Sequence, residues 1–168
     1  MTEYIHETFG SRAVLQNIRN QNSQRELLLM RDDADSQRYE LLEKTENEQS
    51  SFAVPTTYKV LSSHGQTDEL RGWMSFISIT LNDLERDNFL RRFNNETFAI
   101  STPGFISSYV LQRIDNNHEI VILSTWQLKK NFTEWRLTSN FPLDRYKHSQ
   151  YNLRSKQLSF AAFSKQKI

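Results

Sequence analysis

The sequence predicts an α+β fold built on antiparallel sheets, and three observations lead there. Trp73-Met74-Ser75-Phe76-Ile77-Ser78-Ile79-Thr80 alternates with a period of two, set by Phe76 against Ile77 and Ile79, with Trp73 out of phase. Phe105 to Gln112 and His118 to Trp126 are two more extended runs, joined by Asp115-Asn116-Asn117, which is hairpin turn chemistry. Asp83 to Phe93 carries Phe89, Leu90 and Phe93 on one face with Leu84 nearby, the pattern of an amphipathic helix. The second half therefore reads strand, helix, strand, strand, helix, strand. The first half reads strand, helix and two or three strands.

In chain order, Glu3 to Phe9 alternates as a strand and Gly10 breaks it. Ser11 caps a short helix whose apolar side is Val14, Leu15 and Ile18. Glu26 to Arg31 is a compact apolar run, Asp32 to Ser36 is turn chemistry, and Arg38 to Glu43 is the return strand. Pro55 confines Phe52-Ala53-Val54-Pro55 to a strand end or edge. Thr57 to Leu61 fits a turn of helix or a strand equally well. His64 to Arg71 is polar, holds Gly65, and reads as a junction between halves. Asn82 or Asp83 caps the helix that follows the Trp73 strand. After Trp126, Leu128, Phe132 and Trp135 form a stripe at i, i+4 and i+7. Pro142 suits the first turn of another helical piece over Leu143 to His148, and Gln157 to Phe163 is a closing strand.

Composition removes several kinds of function. With 21 basic and 20 acidic residues the net charge is +1, so no basic field recruits nucleic acid. The absence of cysteine excludes disulfides, zinc-thiolate sites, iron–sulfur clusters and a thiolate nucleophile. His6, His64 and His118 are scattered without metal-ligand spacing, and no Gly-x-Ser-x-Gly elbow occurs. Asp32, Asp33 and Asp35 lack the glycine and terminal glutamate of a calcium loop and read as a solvated turn. No apolar run reaches membrane-spanning length and the first residues do not form a signal peptide, so a cytoplasmic protein is expected.

Asn95 to Phe141 resembles the antibiotic-biosynthesis-monooxygenase (ABM) domain of the dimeric α/β-barrel superfamily. The matching pieces are Pro103-Gly104-Phe105, the strand Ile120-Val121-Ile122-Leu123-Ser124-Thr125-Trp126, and Phe132-Thr133-Glu134-Trp135 followed by Ser139-Asn140-Phe141. The whole layout is similar to two-domain bacterial haem-degrading monooxygenases and to TRAP-like proteins. The resemblance implies ferredoxin-like units packed sheet to sheet. A divergent half at residues 1–66 would stand in for a second subunit beside an ABM domain at 67–168. That is a monomer with an internal pseudo-dimer, a homodimer being the other arrangement.

The resemblance also names residues. Trp135 matches the pocket tryptophan that presses on haem, although its stripe with Leu128 and Phe132 is equally a core pattern. Ser75 falls where the family has a distal asparagine, and can donate one hydrogen bond to bound oxygen. The family's haem-ligating histidine position is Arg145, whose guanidinium has no lone pair to offer iron. His148 stands one turn further, about 5.4 Å along a helix axis, and is the candidate metal ligand. Phe141, Arg145 and His148 are the candidate cofactor contacts, and Tyr146 offers an oxygen ligand.

The implied function is an ABM-type monooxygenase with haem as both substrate and cofactor, or a cofactor-free one acting on a small aromatic substrate. The alternative is a TRAP-like binding or regulatory protein without turnover. In each case the expected partner is a small hydrophobic or aromatic ligand.

Overall fold

A computed structural model of the chain describes residues 2–96, 102–138 and 151–161. Among these residues eight strands and three helices follow in order: β1 (Tyr4–Gly10), α1 (Arg12–Gln21), β2 (Leu28–Asp32), β3 (Tyr39–Thr45), β4 (Thr56–Gly65), β5 (Trp73–Thr80), α2 (Asp83–Glu96), β6 (Phe105–Arg113), β7 (Glu119–Trp126), α3 (Lys129–Thr138) and β8 (Arg154–Phe160). Among the described residues no helix is long and apolar enough to cross a membrane.

The strands close into one barrel in the order β1-β3-β2-β8-β5-β7-β6-β4. Cut between β4 and β5, it resolves into β4-β1-β3-β2 and β8-β5-β7-β6, so both halves share one strand order. Antiparallel seams join them at β2·β8, with Arg31 opposite Ser159, and at β4·β6, with His64 opposite Ser108. This is the expected ferredoxin-like pseudo-dimer within one chain. Among the described residues the halves differ at α3, which has no counterpart in the first half, where residues 46–55 form an irregular segment that tucks in Phe52.

Local chemistry fixes the helix starts. The Ser11 hydroxyl accepts from the Val14 amide at 3.3 Å to cap α1. At α2 the Asn82 side chain accepts from the Glu85 amide at 2.8 Å, while Glu85 accepts from the Asn82 amide at 3.1 Å, a reciprocal capping box. In the β6–β7 turn the Asn116 side chain accepts from the His118 amide at 3.2 Å.

The structure corrects several expectations. Thr57 to Leu61 is strand and belongs to β4, which runs on through His64 to Gly65. The closing strand begins earlier, at Arg154. Trp73 is in phase: it shares the outer face of β5 with Ile77 and Ile79, while Met74 and Phe76 point into the lumen. Both faces of this sheet are covered, so hydrophobicity does not alternate and phase cannot be read from it. Leu84 is exposed, and Leu128 precedes α3 and is 62% exposed, so neither joins the core.

Three apolar layers result: the lumen, an outer layer over the first half, and an outer layer over the second. The lumen also holds charge. Lys156 Nζ lies 3.0 Å from Glu7 Oε2 and 3.1 Å from Glu40, and 4.8 Å from the ring centroids of Phe9 and Phe76. Tyr58 donates to the other Glu7 oxygen at 3.0 Å. The cluster ties β8 of the second half to β1, β3 and β4 of the first.

Candidate functional site

The outer layer of the second half lies between the sheet and helices α2 and α3. Its wall is aromatic. Phe132 and Trp135, three apart on α3, face the sheet together, since side chains at i and i+3 share a helix face. Trp126 of β7 sits at the centre, fully buried, with ring centroids 5.5 Å from Trp135, 5.8 Å from Phe132 and 5.5 Å from Phe105. Trp73 meets Phe132 at 5.2 Å, and from α2 Phe89 and Phe93 stack on each other at 5.5 Å. Gly104 seats α3. Its φ is +74°, and a Cβ there would fall 2.1 Å from the Asn131 side chain, so only glycine lets the helix start approach so closely.

Below the rings the sheet carries a polar row. Ser75 pairs with Ser124 across β5·β7, Ser124 with Ser108 across β6·β7, and Ser108 with His64 across β4·β6. Directly paired residues share a face, and the phase of Trp73 and Ile77 puts that face toward the helices. Ser75, Ser108 and Ser124 are each at most 4% exposed. Ser124 accepts from Trp126 Nε1 at 3.0 Å. Ser75 Oγ, Ser108 Oγ and His64 Nδ1 are fully buried and have no hydrogen-bond partner. A buried polar atom left unpaired costs about 1–3 kcal/mol, so native folds keep few of them. Three on one cross-strand row call for a common explanation.

Of the residues singled out from sequence, the structure brings Trp135 and Ser75 into the same layer, the first in the wall and the second on the row. Phe141, Arg145, Tyr146 and His148 lie outside the described residues. Ser108, Ser124 and His64 were not foreseen. One signal for the first two was present: a hairpin centred on Asn116 places Ser108 opposite Ser124. Among the described residues, no three of His, Asp and Glu come together as a metal-holding group.

Residues 76–142 match the family model of the antibiotic biosynthesis monooxygenases, and the match stops short of Arg145 and His148. A search of curated proteins finds no match. Among solved structures, the chain is similar to a ferredoxin-fold protein from Listeria monocytogenes related to antibiotic biosynthesis monooxygenases. The TM-score is 0.79 at 21% identity, with 96% of each chain covered. It is also similar to a staphylococcal regulator of pathogenesis, with TM-score 0.78 and 14% identity over 95% of this chain and 99% of that one. A haem-degrading enzyme of Listeria monocytogenes matches with TM-score 0.70 and 20% identity, over 94% of this chain and 99% of that one. At these identities the neighbours speak for the fold alone. The family match at residues 76–142 thus falls on the half of the chain with the 4-1-3-2 sheet and the aromatic layer over it, and the first half closes that sheet into a barrel.

Proposed function

We propose that the layer over the second half is a binding pocket for a planar, largely apolar ligand, and that the chain acts on this ligand as an ABM-type monooxygenase. The observation that carries the reading is the row of unpaired polar atoms under the aromatic wall. Trp126 and Trp135 supply faces for stacking. The Ser75 and Ser108 hydroxyls supply hydrogen bonds to oxygen atoms on the ligand edge, and the surrounding phenyl rings exclude water. We place the domain division at 66/67; the closed barrel, which leaves no free sheet edge, supports a monomer as the working unit. A sizing run that gave twice the mass of one chain would count against it.

For haem, the described residues offer a stacking wall and hydroxyl donors. His148, outside the described residues, would hold the iron. Haem, once bound, would supply oxygen activation directed at its own ring. Titration with haemin tests this: tight stoichiometric binding with a Soret shift that His148→Ala abolishes supports the histidine-ligated form. A spectrum unchanged by that substitution removes it and leaves the cofactor-free form. A second reading, binding without turnover, is favoured by Arg145 at the family's ligand position. Oxygen uptake with bound ligand and a chemical reductant separates the two.

A further inference from the structure

We propose that His64, from the first half of the chain, is a ligand-binding residue of this pocket and forms the end of it opposite Ser75; the inference rests on the pocket reading above. The family model begins at residue 76, so His64 lies outside the matched domain. It reaches the layer because β4 pairs with β6. The register His64–Ser108–Ser124–Ser75 crosses four adjacent strands on one face. The β-bulge between Val60 and Ser62 matters for this, because it resets the phase of β4 before His64.

Two other histidines serve as controls for what a structural histidine looks like here. His6 is fully buried and bonded through both ring nitrogens, to Thr57 Oγ1 and to the Asn47 carbonyl, each at 2.8 Å. His118 is exposed, near Asp83. His64 fits neither pattern: its Nδ1 is buried away from water yet has nothing to bond.

An imidazole nitrogen in that state accepts or donates one hydrogen bond according to tautomer. It therefore suits an oxygen substituent on the ligand rim: hydroxyl, carbonyl or carboxylate. Neighbouring strands are about 4.8 Å apart, so the row spans roughly 14 Å from Ser75 to His64. Two hydrogen bonds of about 2.8 Å leave on the order of 9 Å between the ligand atoms they reach. The matched ligand is a flat molecule with two oxygen-bearing groups about that far apart along one edge, as the two propionate arms of a porphyrin can be. A small monocyclic compound reaches only one end.

The test uses the full chain and metal-free protoporphyrin IX, followed by quenching of tryptophan fluorescence. His64→Ala is expected to weaken binding about tenfold at unchanged Tm. His64→Asn, whose amide reaches the Nδ1 position, is expected to recover most of the loss. In the wild type, the His64 Nδ1 resonance shifts on adding the porphyrin. If Ser75→Ala weakens binding while both His64 variants bind as the wild type, the pocket stands and the assignment of His64 fails. If the wild type shows no quenching and no resonance shift, both fall together.

Discussion

The two halves of the barrel have the same strand order but differ in how far the polar groups buried over their outer faces are satisfied. Over the first half, His6 is bonded at both nitrogens, Thr8 donates to the Val54 carbonyl at 3.1 Å, and Arg25 pairs with Glu43. Two of these partners, the Asn47 and Val54 carbonyls, come from the irregular segment at 46–55, which stands where the second half has α3. Over the second half, the covering helices present rings in place of acceptors, and Ser75, Ser108 and His64 go unpaired. Among the described residues the first half leaves one such atom over its sheet, Arg19 Nη1 on α1. Three on one row, against that one, mark the second half as the half built to meet something else.

The charged groups of the lumen fall on the satisfied side of this comparison, while the Tyr109 hydroxyl there has no partner. A cavity of about 410 Å³ opens beside Glu7 and Lys156, but the charged groups at its base pair with one another. Burial first and the two carboxylates second act on Lys156: burial opposes its charge, and Glu7 and Glu40 outweigh it, holding the ammonium above its ordinary value. Burial, and then the nearby Glu7, push Glu40 up to about 8 against the pull of Lys156.

If the contrast is right, breaking satisfied networks costs stability, and removing the unpaired groups costs binding alone. The largest effect is expected at Lys156→Met. It leaves Glu7 buried without its counter-charge and should cost about 3–5 kcal/mol in denaturant unfolding. His6→Leu strands Thr57 and the Asn47 carbonyl. It should cost about 1–3 kcal/mol with porphyrin binding unchanged; a binding loss there would blur the distinction between the halves.

The pH dependence tests the lumen cluster. A folded Glu40 holds a proton that the unfolded chain releases near 4.5, so its contribution is full below that value and is lost as pH rises through about 8. The Tm should fall between pH 6 and 9 by a few degrees, on the order of 1 kcal/mol, and Glu40→Gln should flatten the slope. The smallest change in stability belongs to Ser108→Ala. It removes a hydroxyl that has no partner, so stability should hold within about 0.5 kcal/mol or rise while binding weakens. A clear destabilisation would mean that the hydroxyl is satisfied after all.

Much of this was legible in advance. Helix α2 announces itself through Asn82, Glu85 and the Phe89/Phe93 pair, and the β6–β7 hairpin through its Asp-Asn-Asn turn. Trp135 and Ser75 are singled out by family resemblance, and the hairpin register alone would have added Ser108 and Ser124. Leu128 misled because its spacing fits the stripe, but it precedes the first turn of α3.

By itself the sequence determined most of the elements and turns, the Ser11 cap and the α+β class, because those depend on residues a few positions apart; Thr57 to Leu61 it left open between helix and strand. The closing of the barrel, the phase of Trp73 and the pairing of Lys156 with Glu7, 149 positions away, were decided only in three dimensions. So was the arrival of His64 beside Ser108. A cross-strand row is set by the register of four strands together, and no local pattern encodes which polar atoms that register leaves without a partner.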